Sequence, residues 1–278
     1  MELVSILVRT CARPQILREA LESIRNQTYP SIEVIVVEDG KNTAQNMIET
    51  EFQDLNLKYK CTGERKGRVA AGNLAMSMAS GSYMNFLDDD DYLLPEHVET
   101  LMHALEKSHN KAAYAVAYES IVEYDKKHAK YKEYKRWVRY RQPFNRVYLT
   151  FNNYIPIQSI LFSRTLYEKL GGFDEQMDFL EDWEMWVRYS TETDFLFVNR
   201  ETSVYRVPKK KVKRNTGMYQ AYQQTVEKFK KYERPQTYYE ISKELEYILE
   251  EVKTPGWKRR LKKIRDRVLY KDGGNEKK

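Results

Sequence analysis

The chain has 278 residues, 41% hydrophobic and 32% charged, a balance that excludes a disordered chain and allows a sizeable core, as one large α/β domain or a domain with an appendage. No apolar run approaches the roughly 18 residues of a membrane span, the first residues lack the basic and apolar segments of a signal peptide, and two cysteines, Cys11 and Cys61, indicate neither a disulfide framework nor a thiolate zinc site; a cytoplasmic protein is expected. The formal net charge of +6 is uneven, because Trp257 to Lys278 carries ten Lys or Arg against three acids and leaves residues 1–256 at −1, so the basic balance is no argument for nucleic acid.

Strands and helices alternate from the start. Leu3 to Val8 is a β-rich run, followed by Thr10, Arg13 and Pro14 and a helical period through Leu17, Ala20, Leu21 and Ile24. Ile32 to Val37 is a second strand leading into Glu38-Asp39-Gly40, acid at the carboxyl end where open α/β sheets bind ligands. A helix is expected over 42–51, a strand over 57–61 and a helix over 69–79. The apolar strand Gly81 to Leu87 then runs into Asp88-Asp89-Asp90-Asp91. Pro95 to Lys107 is helical by period, 112–117 is a strand, and the Tyr- and Lys-rich segment from Tyr118 to Arg141 reads as a protruding hairpin, either an exposed, hydrated excursion or an acceptor-side flap whose Tyr rings stack on sugars or whose cations meet phosphates. Tyr154 to Phe162, a helix over 164–170, Gly171-Gly172-Phe173-Asp174, a helix opening on Glu181-Asp182, and two strands at 195–198 and 203–206 complete the alternation. It predicts a mixed, largely parallel sheet with helices on both faces.

Beyond Pro208 the character changes. Lys209 to Arg214 is a basic loop, and three amphipathic helices follow, marked by Met218 to Phe229, Tyr238 to Val252 and Trp257 to Val268. The division is therefore 1–208 as the main domain and 209–278 as a basic loop with a C-terminal helical extension. The last helix, with its Lys/Arg flanks and leading Trp257, suits either packing on its own protein or peripheral contact with a membrane surface.

Four consecutive carboxylates repel one another unless a cation sits among them. Oxygen ligands suit Mn²⁺ or Mg²⁺, and such an ion often completes its shell with substrate phosphates. In an extended chain Asp88 and Asp90 point one way and Asp89 and Asp91 the other, which makes a D-x-D pair. A solvated acidic turn and an acid-rich helix start are the plainer alternatives for this run and for Glu181-Asp182.

Taken together, the ordered motifs resemble glycosyltransferase family 2, inverting enzymes of the GT-A fold, over roughly residues 3–208. The likeness is carried by Val4-Ser5-Ile6 with Thr10, Arg13 and Pro14, by Val36-Val37-Glu38-Asp39-Gly40, by Gly81-x-Tyr83 with Phe86 to Asp91, and by Gly171-Gly172-Phe173-Asp174 with Glu181-Asp182. It implies a GT-A, Rossmann-like sheet and transfer of a sugar from a nucleoside-diphosphate sugar to a glycan or lipid-linked acceptor in cell-surface polysaccharide synthesis, at the inner face of the membrane. Thr10, Arg13, Asp39, Asp88 and Asp89 would meet the donor, Asp39 at its base. Asp90, with Asp88, would hold the metal, and Asp182 would be the general base.

Two departures stand out. The family often has Arg where this chain has Gly72, between Ala71 and Asn73, so Arg68 or Lys66 is a candidate for the missing cation. Many members place His after Tyr205-Arg206, where Val207 and Pro208 stand here, and Lys209 to Arg214 could supply that charge. A nucleotidyltransferase is the runner-up, but Thr10 to Pro14 has none of the glycine its phosphate loop would need. A catalytically silent nucleotide-sugar-binding module is the third reading, and it has no use for Asp182.

Overall fold

The computed structural model describes residues 1–209 except 126 and 178, then 216–229, 231 and 232. The basic residues 210–214 and the two later amphipathic helices lie outside the described residues, as do the membrane and packing readings attached to the last of them. Among the described residues no helix is long and apolar enough to cross a membrane.

Every residue of the first strand, β1 (Val4–Thr10), is buried, and its period of two divides the interior. Val4, Ile6 and Val8 join one apolar cluster and Leu7 the other. The same alternation holds in β2 (Ile32–Glu38), where Val34 and Val36 face one way and Ile35 and Val37 the other. The elements follow in order: α1 (Pro14–Arg25) between β1 and β2, then α2 (Gln45–Glu51), β3 (Leu57–Cys61), α3 (Arg68–Met78), β4 (Tyr83–Asp88), β5 (Tyr92–Leu93) and α4 (His97–Glu106). A long strand, β6 (Ala112–Asp125), pairs antiparallel with β7 (Lys130–Tyr140), so the protruding hairpin of the sequence reading is a two-stranded ladder, with register shifts at Ala117/Tyr118 and Ile121/Val122. After α5 (Arg146–Leu149), a 3₁₀ turn (Ile157–Ser159) and β8 (Ile160–Ser163) stand where a longer strand from Tyr154 was expected. Then come α6 (Arg164–Leu170), α7 (Glu181–Tyr189), β9 (Phe195–Pro208) and α8 (Thr216–Phe229).

The strands form one sheet in the order β3-β2-β1-β4-β8-β6-β9-β5, with β7 attached to β6. β1, β2, β3, β4, β6 and β9 run one way and β5, β7 and β8 the other, since β8 is antiparallel to both β4 and β6. This is the mixed, mostly parallel sheet expected.

Three boundaries differ from the sequence reading. The two strands at 195–198 and 203–206 are a single strand, because register shifts opposite Ala115 to Ala117 absorb the polar residues between Val198 and Ser203. Helix α2 begins at Gln45 rather than 42, because the Glu38 carboxylate accepts from the backbone N–H groups of Thr43 (2.9 Å) and Ala44 (3.0 Å) and holds that stretch as a turn. The packed body also runs past the 208/209 division. On α8, Tyr222 stacks against Trp183 of α7 at 5.5 Å and Phe229 meets it edge-on at 5.0 Å.

Candidate active site

The ends of β1, β2 and β4 line up in register, Arg9 beside Val37 and Asp88, Thr10 beside Glu38. This brings the acids that follow β2 and β4 to one cavity of about 540 Å³. Thr10, Arg13, Asp39, Arg65, Arg68 and Asp88 to Asp91 line it, so all the donor-side and metal-side residues expected from the sequence come together there.

Asp39 does more than face the cavity. Its amide donates to the Thr10 carbonyl at 2.8 Å, and its carboxylate accepts from the amides of Lys66 (2.7 Å) and Gly67 (3.0 Å). Gly67 immediately precedes α3 with φ +95°, a conformation that suits only glycine without strain. The carboxylate thus ties down the segment that delivers Arg65 and Arg68 to the cavity wall.

The four aspartates turn sharply, with the Asp91 amide donating to the Asp88 carbonyl at 3.0 Å. They still alternate: Asp88 (28% exposed) and Asp90 (39%) open to the cavity, while Asp89 (0%) and Asp91 (1%) turn inward. Asp88 accepts from Arg9 Nε at 2.7 Å and Nη2 at 2.9 Å. Burial alone would raise its pKa, but the Arg9 charge and hydrogen bond, with Arg68 and Arg13, hold it below the usual carboxylate range. Asp89 accepts from Thr10 Oγ1 at 2.6 Å and from Arg13, yet burial prevails and pushes it up to about 7. Asp90, facing Arg13 at 3.5 Å, is raised by burial and by Asp88. Asp91, which accepts from the Arg206 amide at 2.7 Å, is raised well above the ordinary value, again by burial first and then by Asp90. Burial is the first cause of all three rises, although Arg9, Arg13 and Arg206 contact the loop.

Asp182 lies in the first turn of α7 and lines a second cavity of about 210 Å³, which shares Arg9, Arg68, Asp88 and Tyr205 with the first. Its carboxylate accepts from Asn153 Nδ2 at 3.2 Å and from the Trp183 amide at 2.8 Å. Burial and the neighbouring Glu181 charge raise it to about 6, a value suited to taking a proton near neutral pH. Tyr140 and Tyr205, edge to face at 6.0 Å, line the same space.

Both departures acquire a physical account. A Cβ at Gly72 would lie 2.4 Å from Cε2 of Phe173 and 3.4 Å from Cδ of Arg9. No side chain fits there as packed, and the space is bordered by a cation arriving from β1. Arg68 lines both cavities, whereas Lys66 lines neither. Past Tyr205, Arg206 donates to the Asp90 carbonyl at 3.2 Å and lies over Tyr92 and Tyr131, 4.6 and 5.0 Å from their ring centroids. None of the four histidines lines either cavity; His97 is buried elsewhere, against Thr202 at 2.7 Å. Lys209 lies over the Tyr134 ring at 3.6 Å.

The residues that sequence reasoning missed are Arg9, Arg65, Arg206, Asn153 and Tyr205, while Tyr140 belongs to the Tyr-rich segment for which an acceptor-side flap is one of the two readings. Arg9 alone left a signal, a charge inside an otherwise uncharged strand. Among the described residues no three His, Cys, Asp or Glu side chains gather as metal ligands.

Comparison with known proteins agrees with this geometry. The chain is 27% identical over 198 residues to an uncharacterised glycosyltransferase of Rickettsia prowazekii, covering 70% of this chain and 61% of that protein. It is 27% identical over 186 residues to the uncharacterised glycosyltransferase YwdF of Bacillus subtilis, covering 66% and 67%. The chain therefore spans about three fifths to two thirds of these relatives. Among solved structures, TarS of S. aureus (residues 1–349, with UDP) superposes with a TM-score of 0.59 at 19% identity, covering 74% of this chain and 60% of that one. The mannosyltransferase PcManGT of Pyrobaculum calidifontis, in complex with GDP-Man and Mn²⁺, gives 0.54 at 20%, covering 80% and 61%. The fold they share with this chain is the GT-A fold. The sequence profile of Glycosyl transferase family 2 matches residues 5–171, and the chain belongs to that family.

Proposed function

We propose that the protein transfers a sugar from a nucleoside-diphosphate sugar to an acceptor hydroxyl in one inverting displacement, with Asp182 as the base. Support comes from one arrangement above all. Asp182, its carboxyl raised to about 6, opens into a cavity that adjoins, through Arg68 and Asp88, a larger one walled by Arg13, Arg65 and Arg68 and by the four aspartates.

The donor base and ribose would lie between Thr10, Asp39 and Asp88, and the diphosphate against Arg65 and Arg68. Arg13 and Asp89 brace the wall beside them. The acceptor hydroxyl would lose its proton to Asp182 as its oxygen bonds to the anomeric carbon. The bond from that carbon to the phosphate oxygen breaks, and its electron pair leaves with the nucleoside diphosphate. Tyr140 and Tyr205 offer ring faces to a glycan acceptor.

The donor set fits Mn²⁺ or Mg²⁺. Asp90 is open to the cavity with its carboxyl raised, Asp88 stands beside it, and a cation held by one or two carboxylates draws its remaining ligands from phosphate and water. Bound there, the ion supplies charge stabilisation of the departing diphosphate.

The test is thermal melting with UDP and with GDP, each with and without Mn²⁺, followed by turnover of a panel of UDP- and GDP-sugars. A metal-dependent rise in melting temperature and slow hydrolysis of one donor are expected. Equal shifts with and without metal, and no turnover of any donor, would refute the reading.

A further inference from the structure

Arg9 is the only charged side chain in β1, it is 6% exposed, and it is central to both cavities. Its guanidinium carbon lies 5.5 Å from the ring centroids of both Phe86 and Phe173. Nε and Nη2 donate to the two oxygens of Asp88, on the neighbouring strand, at 2.7 and 2.9 Å. Nη1 donates to Glu181 Oε1 at 2.9 Å, 172 residues further along the chain. One rigid fork therefore joins the floor of the larger cavity to the first residue of α7, immediately before Asp182.

The start of helix α7 is held on one side by Trp183, which packs against Tyr222 and Phe229, and by Asn153 on Asp182; on the cavity side the bond of Glu181 to Arg9 holds it. The residue before it, Leu180, adopts a left-handed conformation at φ 61° and caps no N–H group with its side chain. A bulky residue holds that conformation only where its surroundings impose it. Glu181 is 3% exposed, so its bond to Arg9 is made out of water, where a planar, permanently charged fork is stiffest.

We propose that Arg9 is a positioning residue that sets the seat of the donor and the placement of the base as one unit, holding Asp88 with one edge of its guanidinium and, through Glu181, the turn that carries Asp182 with the other. The proposal rests on the reading of Asp182 as the base. It adds that Asp88 is a braced acceptor with both oxygens engaged by protein, which leaves Asp90 as the carboxylate more open to a cation.

The charges nearest Asp182 are Glu181 from its own helix and Arg9 from β1; Arg68 of α3 and Asp88 of β4 line the same cavity, as do the Asn153 amide and the Tyr140 and Tyr205 phenols. Replacing the fork by a shorter point charge, Arg9→Lys, releases Glu181 and should loosen α7. Turnover of the donor found in the panel should fall about 10- to 100-fold, the scale of a sub-ångström to ångström misplacement, while UDP or GDP with Mn²⁺ still raises the melting temperature but by less than in the wild type, since Asp88 loses its fork. The acidic limb of the kcat/KM profile, expected near pH 6 in the wild type, should move upward.

Glu181→Gln removes the like charge and should move that limb downward, the opposite direction, with a smaller loss of kcat. This second variant keeps the test decisive if Arg9→Lys does not fold. Lowered melting temperatures with the limb and kcat unmoved in both variants would make Arg9 a structural ion and overturn the proposal. A wild type that binds nucleotide but turns over no donor would strike instead at the reading of Asp182, and the two failures are told apart by the wild-type control.

Discussion

The two strands that flank β1 carry buried acids built on opposite plans. On β2, Glu33 accepts from the Ser5 hydroxyl at 2.5 Å, the Ser80 hydroxyl at 2.6 Å, the Gly81 amide at 3.0 Å and Lys58 at 3.0 Å. Glu38 accepts from the Thr43 and Ala44 amides and from the Tyr59 hydroxyl at 2.5 Å. Burial works against both, yet the hydrogen bonds prevail: Glu33 is lowered to about 2, and Glu38 is lowered too. Beyond β4, burial wins at Asp89, Asp90 and Asp91, and all three are raised. A buried carboxylate kept for structure is supplied with donors from its own chain. Asp89, Asp90 and Asp91 have donors too, in Thr10, Arg13 and the Arg206 amide, but at the wall of a cavity burial outweighs them, and such a site accommodates charge from a ligand.

The contrast is broken most severely at the site acids. Asp182→Asn should cut kcat/KM by about 10²- to 10⁴-fold, the range of a lost general base, with the nucleotide-induced rise in melting temperature preserved. Asp90→Asn should instead abolish the metal-dependent part of that rise. Equal loss of binding in both variants would mean that the acids form one structural network and that the two plans are not distinct.

On β2 the same kind of change should act on folding alone. Glu33→Ala leaves the Ser5 and Ser80 hydroxyls and the Ser80 amide without their Glu33 acceptor, and each lost bond to a charged group is worth about 1.5–3 kcal/mol before relaxation. A loss of about 3 kcal/mol in urea unfolding is expected, with nucleotide binding intact. Gly72→Ala should follow at about 1–3 kcal/mol, the range for overpacking a filled core. The new Cβ meets the Phe173 ring, itself packed 4.9 Å from Phe86, and cannot be relieved by a flexible side-chain end.

Most of this architecture was legible because it depends on periodicity and on order. The strand-helix alternation through residue 106 and the hairpin follow from patterns local to each segment, whereas the meeting of Asp39, Asp88 and Asp90 in one cavity, with Asp182 in the adjoining one, was expected from the family resemblance. What escaped depends on partners far apart in the chain. That Arg9 is an internal brace is set by Glu181 and Phe173, and nothing near Arg9 announces them. The bulged union of 195–198 with 203–206 into one strand is imposed by β6. Arg65 reaches the cavity only because Asp39 folds the segment ahead of α3.

The smallest effect, and the one that sharpens the comparison most, is in the pH dependence of stability. Glu33 has a folded pKa below its unfolded value, so its contribution is present above pH 4.5 and is lost as pH falls from there towards 2. Asp89 runs the other way. Its folded pKa is raised from 3.8 to about 7, so its contribution is complete below pH 3.8 and is lost as pH rises through 7. Nucleotide with Mn²⁺ brings positive charge to the acid loop and favours the ionised form of Asp89. The ligand-induced rise in melting temperature should therefore be larger at pH 8 than at pH 6. In Asp89→Asn that difference should shrink, while in Glu33→Gln it should persist. A ligand shift independent of pH in the wild type would show that Asp89 is already fully ionised beside Arg13, and that burial prevails only at Asp90 and Asp91.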